Sequence, residues 1–323
     1  MNNYNFLQQR LHQLALSSSL MREATFDIEN LFVSPLKQID DHIFIAGLAR
    51  SGTTILLNAL YESNEFASLS YKDMPFVLAP NLWSKLPFNK KDLNSVERAH
   101  GDGIKISKDS PEAFEEVFWM TFNDNVNESS EKFKIYIQLI SHKYHKNRYL
   151  SKNNQNIRRL ELISKIFPNS KIFIPFRDPV QHAYSLLNQH KKFIEDSDRD
   201  NFISKYMKWI GHSEFGPNYN PIYNKNIQYT NHLDINHWIE QWHLTYKNCF
   251  ETLKDKSNVN FICYEKLCES KEYWLNILKV SNIKENYDFE FKKSQKEICL
   301  DYDNEISNKA SHVYSQLYQS NKN

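Results

Sequence analysis

Apolar residues recur along the chain with two periods, and the alternation between them outlines a fold. Residues 4–20 carry Phe6, Leu7, Leu11, Leu14 and Leu16 at helical spacing, which predicts an amphipathic helix with those side chains inward. "IFIA" (43–46) is a short, fully apolar run ending at Gly47, the pattern of a central parallel strand. Thr53–Tyr61 reads as a helix, and "FASLS" (66–70) as a second strand. From about 74 to 168 the pattern is mostly helical, interrupted by Pro75, Pro80, Pro87 and Pro111. "KIFIPF" (171–176) is another apolar strand, with a helix opening after Asp178-Pro179. Pro175 removes a ladder donor and is expected near that strand's end. Residues 237–253 are helical by period, with Trp238, Trp242 and Thr245 on one side. "VNFICYE" (259–265) is a last strand, and Ala310, Val313 and Leu317 give the tail a helical spacing.

Strands separated by helices predict an α/β fold: a P-loop-like parallel sheet flanked by helices. One stretch belongs to neither period. Residues 211–236 are polar and rich in Asn, Pro and Tyr, and are expected to form a long loop or lid.

Composition changes this picture only locally. The 323 residues suffice for one large core, and a net charge of +1 excludes general polyanion binding, so no nucleic-acid partner is expected. Between Glu131 and Glu161 there is no acid but there are eight bases, which read as solvated helix faces, with an anion-attracting surface as the alternative. The four cysteines form no C-x-x-C pair, no apolar run reaches transmembrane length, and no His/Cys spacing suggests a metal. A cytoplasmic protein without a transmembrane segment or a metal is the expectation.

The candidate chemistry lies at two strand-to-helix corners. The first reads Gly47-Leu48-Ala49-Arg50-Ser51-Gly52-Thr53-Thr54. A strand feeding a glycine loop and then a helix aims backbone N–H groups, and the positive end of the helix dipole, at one point. A Walker loop would carry lysine where Thr53 stands. Arg50 instead places a two-pronged cation inside the loop. The second corner, "RDPVQHAYS" (177–185), ends an apolar strand with Arg177 and offers Ser185 two helical turns later. Two anion grips on one sheet edge fit a nucleotide carrying groups on both its 5′ and 3′ oxygens.

These motifs resemble the sulfotransferases that use 3′-phosphoadenosine-5′-phosphosulfate. "GLARSGTT" is similar to the family's G-x-P-[RK]-S-G-T-T, with Ala49 in place of proline, and "RDPVQHAYS" to its R-[DN]-P-x(5)-S. "SKNNQNIRRL" resembles K-x-x-x-N-x-x-R-L, and "NFICYEKL" resembles a late strand with Tyr-Glu-x-Leu. The resemblance implies a bacterial-type sulfotransferase fold in one domain over 1–323, with a helical extension (1–40) and a helical tail (296–323). It implies no metal and transfer of a sulfuryl group to a hydroxyl or amine. Arg50, Ser51, Gly52, Thr53 and Thr54 would then hold the 5′-phosphosulfate, and Arg177 and Ser185 the 3′-phosphate. Lys152 would reach the sulfuryl group or the acceptor. Asp73 would be the general base, with His100 and Asp102 as rivals. The acceptor is open; a cell-surface glycan or glycolipid precursor is the expectation. Two other readings stand beside this one: a magnesium-dependent P-loop nucleotide kinase, and a non-catalytic nucleotide-binding scaffold on the same fold.

Overall fold

The computed structural model describes residues 6–33, 41–86, 96–97, 105–106, 109–122, 126–293 and 296–320. Five parallel strands form one sheet: β1 (Ile43–Ile45), β2 (Phe66–Ala67), β5 (Arg148–Lys152), β6 (Lys171–Phe176) and β7 (Val259–Cys263), in the order β2-β5-β1-β6-β7. A separate two-residue antiparallel pair joins β3 (Val96–Glu97) to β4 (Lys105–Ile106).

Alternation along the strands divides the core between the two faces of the sheet. On one face Ile43, Ile45, Leu150 and Phe173 pack with Leu56, Leu57 and Leu60 of α3 (Thr53–Tyr61) and with Trp274, Ile277 and Leu278 of α12 (Lys271–Val280). On the other, Phe44, Ile172, Ile174 and Phe176 face helices α5 (Glu116–Phe122), α6 (Val126–Tyr144), α8 (Pro179–Arg199), α10 (Ile235–Leu253) and α13 (Asn304–Ser320). Each such aliphatic side chain contributes about 1.5–3 kcal/mol by leaving water, so both faces are strongly committed. Pro175 is tolerated because β1 pairs with β6 only from Lys171 to Phe173. Its carbonyl is taken by the Tyr246 hydroxyl at 2.7 Å.

Three expectations are corrected. The first is the apolar face of the N-terminal helix. α1 (Phe6–Leu16) buries His12, Ala15 and Leu16, while Phe6, Leu7 and Leu14 face outward. It packs on α2 (Ser19–Phe32) and α9 (Asn201–Trp209) through its other side.

The second is the helical reading of 74–168, which contains an interior strand, β5. Its sequence, Arg-Tyr-Leu-Ser-Lys, is masked by polar ends: Tyr149 and Leu150 are buried, and Arg148 is neutralised by Asp41 and Glu65 at 3.1 Å each.

The third is the basic stretch, which is a set of individual pairings rather than an anion-attracting surface. Lys132 meets Glu23 and Glu128, Lys134 meets Glu131, and Arg159 meets Glu116 at 2.6 Å. Lys143 is paired with Asp73, and Arg158 holds the carbonyls of Pro221 and Ile222. The 211–236 segment is a loop as expected, pinned to its surroundings. Glu240 accepts from the backbone N–H groups of Gln228 and Tyr229, and His190 Nδ1 accepts from that of Gly216.

Candidate active site

The strand order explains why three separated stretches meet. The chain leaves β1 to build β2 and β5 on one side of it, then crosses to build β6 and β7 on the other. The carboxyl ends of β5, β1 and β6 are therefore adjacent, which is where open α/β sheets bind ligands. Register places Lys152 level with Ile45, and Ile45 level with Phe173.

The first corner runs from β1 to α3. Gly52 has φ +98° and Arg50 φ +71°. Only glycine adopts such angles freely, so Arg50 bears roughly 1–2 kcal/mol of local strain. A Cβ on Gly52 would stand 2.4 Å from the Tyr264 ring. A Cβ on Gly47 would stand 3.1 Å from both the Pro175 carbonyl and Ser51 Oγ. Gly52 is required by close approach as well as by backbone shape, and Gly47 sits in a tight approach only. Ser51, Thr53 and Thr54 are buried, and the Thr53 hydroxyl donates to Asn154 Oδ1 at 3.3 Å. The loop is thereby tied to the residues that follow β5.

The second corner runs from β6 to α8. Asp178 caps the helix by accepting from Gln181 N–H at 2.8 Å, and its own N–H donates to Glu265 at 2.9 Å. Tyr264 lies between the corners: its ring packs on Gly52 and lies 6.0 Å from the Arg177 guanidinium carbon. Reading the sequence did not single out Tyr264 and Glu265 as site residues. The Tyr-Glu-x-Leu motif was their only signal, and its role here is to brace both corners.

Arg50 and Ser185 meet directly, Nε to Oγ at 3.2 Å. His182, one turn earlier on α8, places Nε2 2.7 Å from the Ala49 carbonyl, so that nitrogen donates. Burial pushes its pKa down to about 3, and the charges of Arg177 and Arg50 both act in the same direction. One neutral imidazole thus feels both guanidinium groups, and Arg50, Ser51, Gly52, Thr53, Thr54, Arg177 and Ser185 surround one corner of the sheet. A glycine-walled loop, buried hydroxyls and two guanidiniums suit oxyanions, and among the described residues no group of His, Cys, Asp and Glu could hold a metal.

Lys152 ends β5, nearly buried, with Nζ 4.0 Å from Glu112 Oε1. Asp73 has a different setting. It is wholly buried, accepts from Ser70 N–H at 2.7 Å and from Tyr144 OH at 2.5 Å, and is paired with Lys143. Both oxygens are committed to joining the turn after β2 to α6, so Asp73 would have to give up one of these bonds to act as the base. His100 and Asp102 lie outside the described residues.

A cavity opens beside the first limb of the loop, bordered by Gly47, Leu48 and Ala49. Its far wall comes from the 211–236 loop and α10, with Glu214, Tyr219 and Trp238 among the residues facing it.

A sequence profile of the family described as "Sulfotransferase family" matches residues 42–278. A comparison with curated proteins gave no match. Among solved structures, the sulfotransferase STF1 of Mycobacterium tuberculosis H37Rv is similar at 11% identity and a TM-score of 0.50, covering 98% of this chain and 87% of its own. The sulfotransferase STF9 of Mycobacterium avium is similar at 12% identity and a TM-score of 0.45, covering 98% and 79% respectively. At such identity the likeness to STF1 is one of fold.

Proposed function

The chain belongs to the sulfotransferase family, and we propose that it moves a sulfuryl group from 3′-phosphoadenosine-5′-phosphosulfate to a hydroxyl or amine of an acceptor. The contact between Arg50 and Ser185 at 3.2 Å carries this reading, because it joins a 5′-type anion loop to a second anion corner. In it, the loop from Arg50 to Thr54 holds the phosphosulfate, and Arg177 and Ser185 hold the 3′-phosphate. Arg50 steadies the charge that develops on the departing phosphate oxygen, a term that is usually large in a partly dry site. Lys152, at the end of the neighbouring strand, faces the transferred group.

The acceptor is read as a cell-surface glycan or glycolipid precursor, sulfated in the cytoplasm. The cavity beside the loop presents the Tyr219 and Trp238 rings together with the polar side chains of Gln155, Asn220 and Gln241. Flat rings with amides suit the apolar faces and hydroxyls of a sugar. No helix of the described residues is long and apolar enough to cross a membrane.

Calorimetry tests the donor. 3′,5′-Bisphosphoadenosine should bind without magnesium and more tightly than ADP or magnesium-ATP. Preference for magnesium-ATP would favour the kinase reading. Transfer of label from ³⁵S-donor onto a panel of glycans and lipid-linked sugars should yield a labelled product; binding without any transfer would favour the scaffold.

A further inference from the structure

Resting on the sulfotransferase reading above, the geometry points to Glu214 as the general base that takes the proton from the acceptor. A base for this step must face the space beside the loop and must have an oxygen to offer the acceptor. Among the described residues, three carboxylates are compared. Asp73 has both oxygens committed. Glu112 is similarly engaged: Oε1 accepts from Ala113 N–H at 2.9 Å and lies 4.0 Å from Lys152 Nζ, and Oε2 accepts from Tyr71 OH at 2.9 Å. Glu214 differs. It lines the cavity together with Gly47, Leu48 and Ala49. Its Oε2 accepts from Ser213 N–H at 3.0 Å and lies 3.4 Å from His212 Nδ1, while among the described residues Oε1 takes no hydrogen bond.

The surrounding structure fixes this carboxylate in place. His212 is stacked on Phe193, with ring centroids 5.9 Å apart and planes 8° from parallel, and meets Phe215 edge-on at 4.5 Å. The turn begins at Gly211, φ +76°, where a Cβ would strike the Glu116 side chain at 2.4 Å. Ser213 Oγ accepts from Gln155 Nε2 at 3.0 Å, and the preceding residue, Asn154, holds Thr53 of the loop. Glu214 is therefore braced against the same strand end that carries Lys152.

Burial holds His212 below its usual pKa; Glu214 and Glu112 act against that effect, and Lys152 with it. The imidazole is thus neutral when the carboxylate works. The charge of Arg158 interacts with Glu214, and Tyr219 shares the cavity wall.

The step balances. The acceptor O–H gives its proton to Glu214 Oε1 as the oxygen lone pair forms the new O–S bond. The bond from sulfur to the donor's bridging oxygen breaks, and its electron pair stays on the phosphate that leaves in 3′,5′-bisphosphoadenosine. The proton then passes from Glu214 to solvent.

The test compares wild type with Glu214→Gln and Glu214→Asp. It measures 3′,5′-bisphosphoadenosine affinity by calorimetry, and [³⁵S]sulfate release from labelled donor with water as the acceptor, across pH. Glu214→Gln should bind the nucleotide as wild type does and lose roughly 10²- to 10⁴-fold in kcat with little change in the donor KM. The acid limb of the pH profile should vanish with it. Glu214→Asp, which keeps the carboxylate, should recover part of the rate and the acid limb. His212→Gln should displace that limb without abolishing turnover. Wild-type kcat in Glu214→Gln, with nucleotide affinity intact, overturns this assignment and leaves the sulfotransferase reading standing. Failure of the wild type to bind the nucleotide overturns both.

Discussion

Arg50 Nε lies 3.2 Å from Ser185 Oγ, although 135 residues separate them in the chain. The contact joins the loop after β1 to the second turn of α8, and so brings the two strand-to-helix corners together. Arg177→Ala removes a charged contact to the proposed 3′-phosphate. Hydrogen bonds to charged groups contribute roughly 1.5–3 kcal/mol, so Kd for 3′,5′-bisphosphoadenosine should rise about 10- to 150-fold. Adenosine 5′-phosphate, which lacks the 3′ group, should lose far less affinity. Calorimetry on both nucleotides measures the difference, and equal losses would place Arg177 elsewhere on the ligand.

Gly52 and Tyr264 make a second testable pair. Gly52→Ala puts a Cβ 2.4 Å from the Tyr264 ring at φ +98°. Two costs arise: the steric clash, and roughly 1–2 kcal/mol for a left-handed alanine. Adding Tyr264→Ala relieves the clash and leaves the backbone cost. The double variant should therefore bind nucleotide better than Gly52→Ala and still below wild type. Thermal melting with and without 3′,5′-bisphosphoadenosine reads both effects.

How much of this was legible in the sequence follows from where the chemistry sits. β6 was readable to the residue because a buried parallel strand must be continuously apolar, and "KIFIPF" is. β5 was not, because its ends are Arg148 and Lys152, and their neutralising partners Asp41, Glu65 and Glu112 are remote in the chain. The same blindness hid the partners of the bases between Glu131 and Glu161, most of which pair with carboxylates. The loop from Gly47 to Thr54 was legible because glycine spacing is a backbone requirement written locally. Tyr264 and Glu214 were not, because their importance lies in what the fold brings against them. α1 misled for a different reason: its periodicity was real, but Phe6, Leu7 and Leu14 form the face turned outward.

Asp73 and Lys143 form a buried ion pair, and this gives Asp73 a stability role. Asp73→Asn leaves the ammonium without its countercharge and weakens the bonds from Tyr144 OH and Ser70 N–H. Removing one partner of such a pair costs roughly 3–5 kcal/mol. Urea denaturation should show that loss, while nucleotide affinity in the folded fraction stays near wild type. A variant of normal stability and collapsed turnover would return Asp73 to the chemistry.

Buried histidines set an acid limit, and His42 and His182 are two of them. His42 Nδ1 accepts from Tyr149 N–H at 3.1 Å, so that nitrogen cannot carry a proton without losing the bond. Burial, with Arg148 adding to it, pushes the His42 pKa down to about 4. Burial, with Arg177 and Arg50 adding to it, takes His182 to about 3. Both folded values lie below the ordinary value of 6.5, so the unfolded chain binds more protons in that interval. The stabilisation is fully present above pH 6.5 and is lost as pH falls toward 4 and 3. Each site contributes a slope of roughly 1.4 kcal/mol per pH unit within its window. Urea midpoints between pH 7.5 and 4.5 should therefore fall steeply below 6.5, and a His42→Asn variant should show a shallower slope from a lower plateau. Bisphosphoadenosine pulls the other way. The proposed 3′-phosphate beside Arg177 would offset part of the field that depresses His182 and so shrink the acid loss, and binding itself stabilises the fold, so saturating nucleotide should move the acid limb to lower pH. Measuring the limb with and without nucleotide in His42→Asn reads the nucleotide's effect with the His42 share removed.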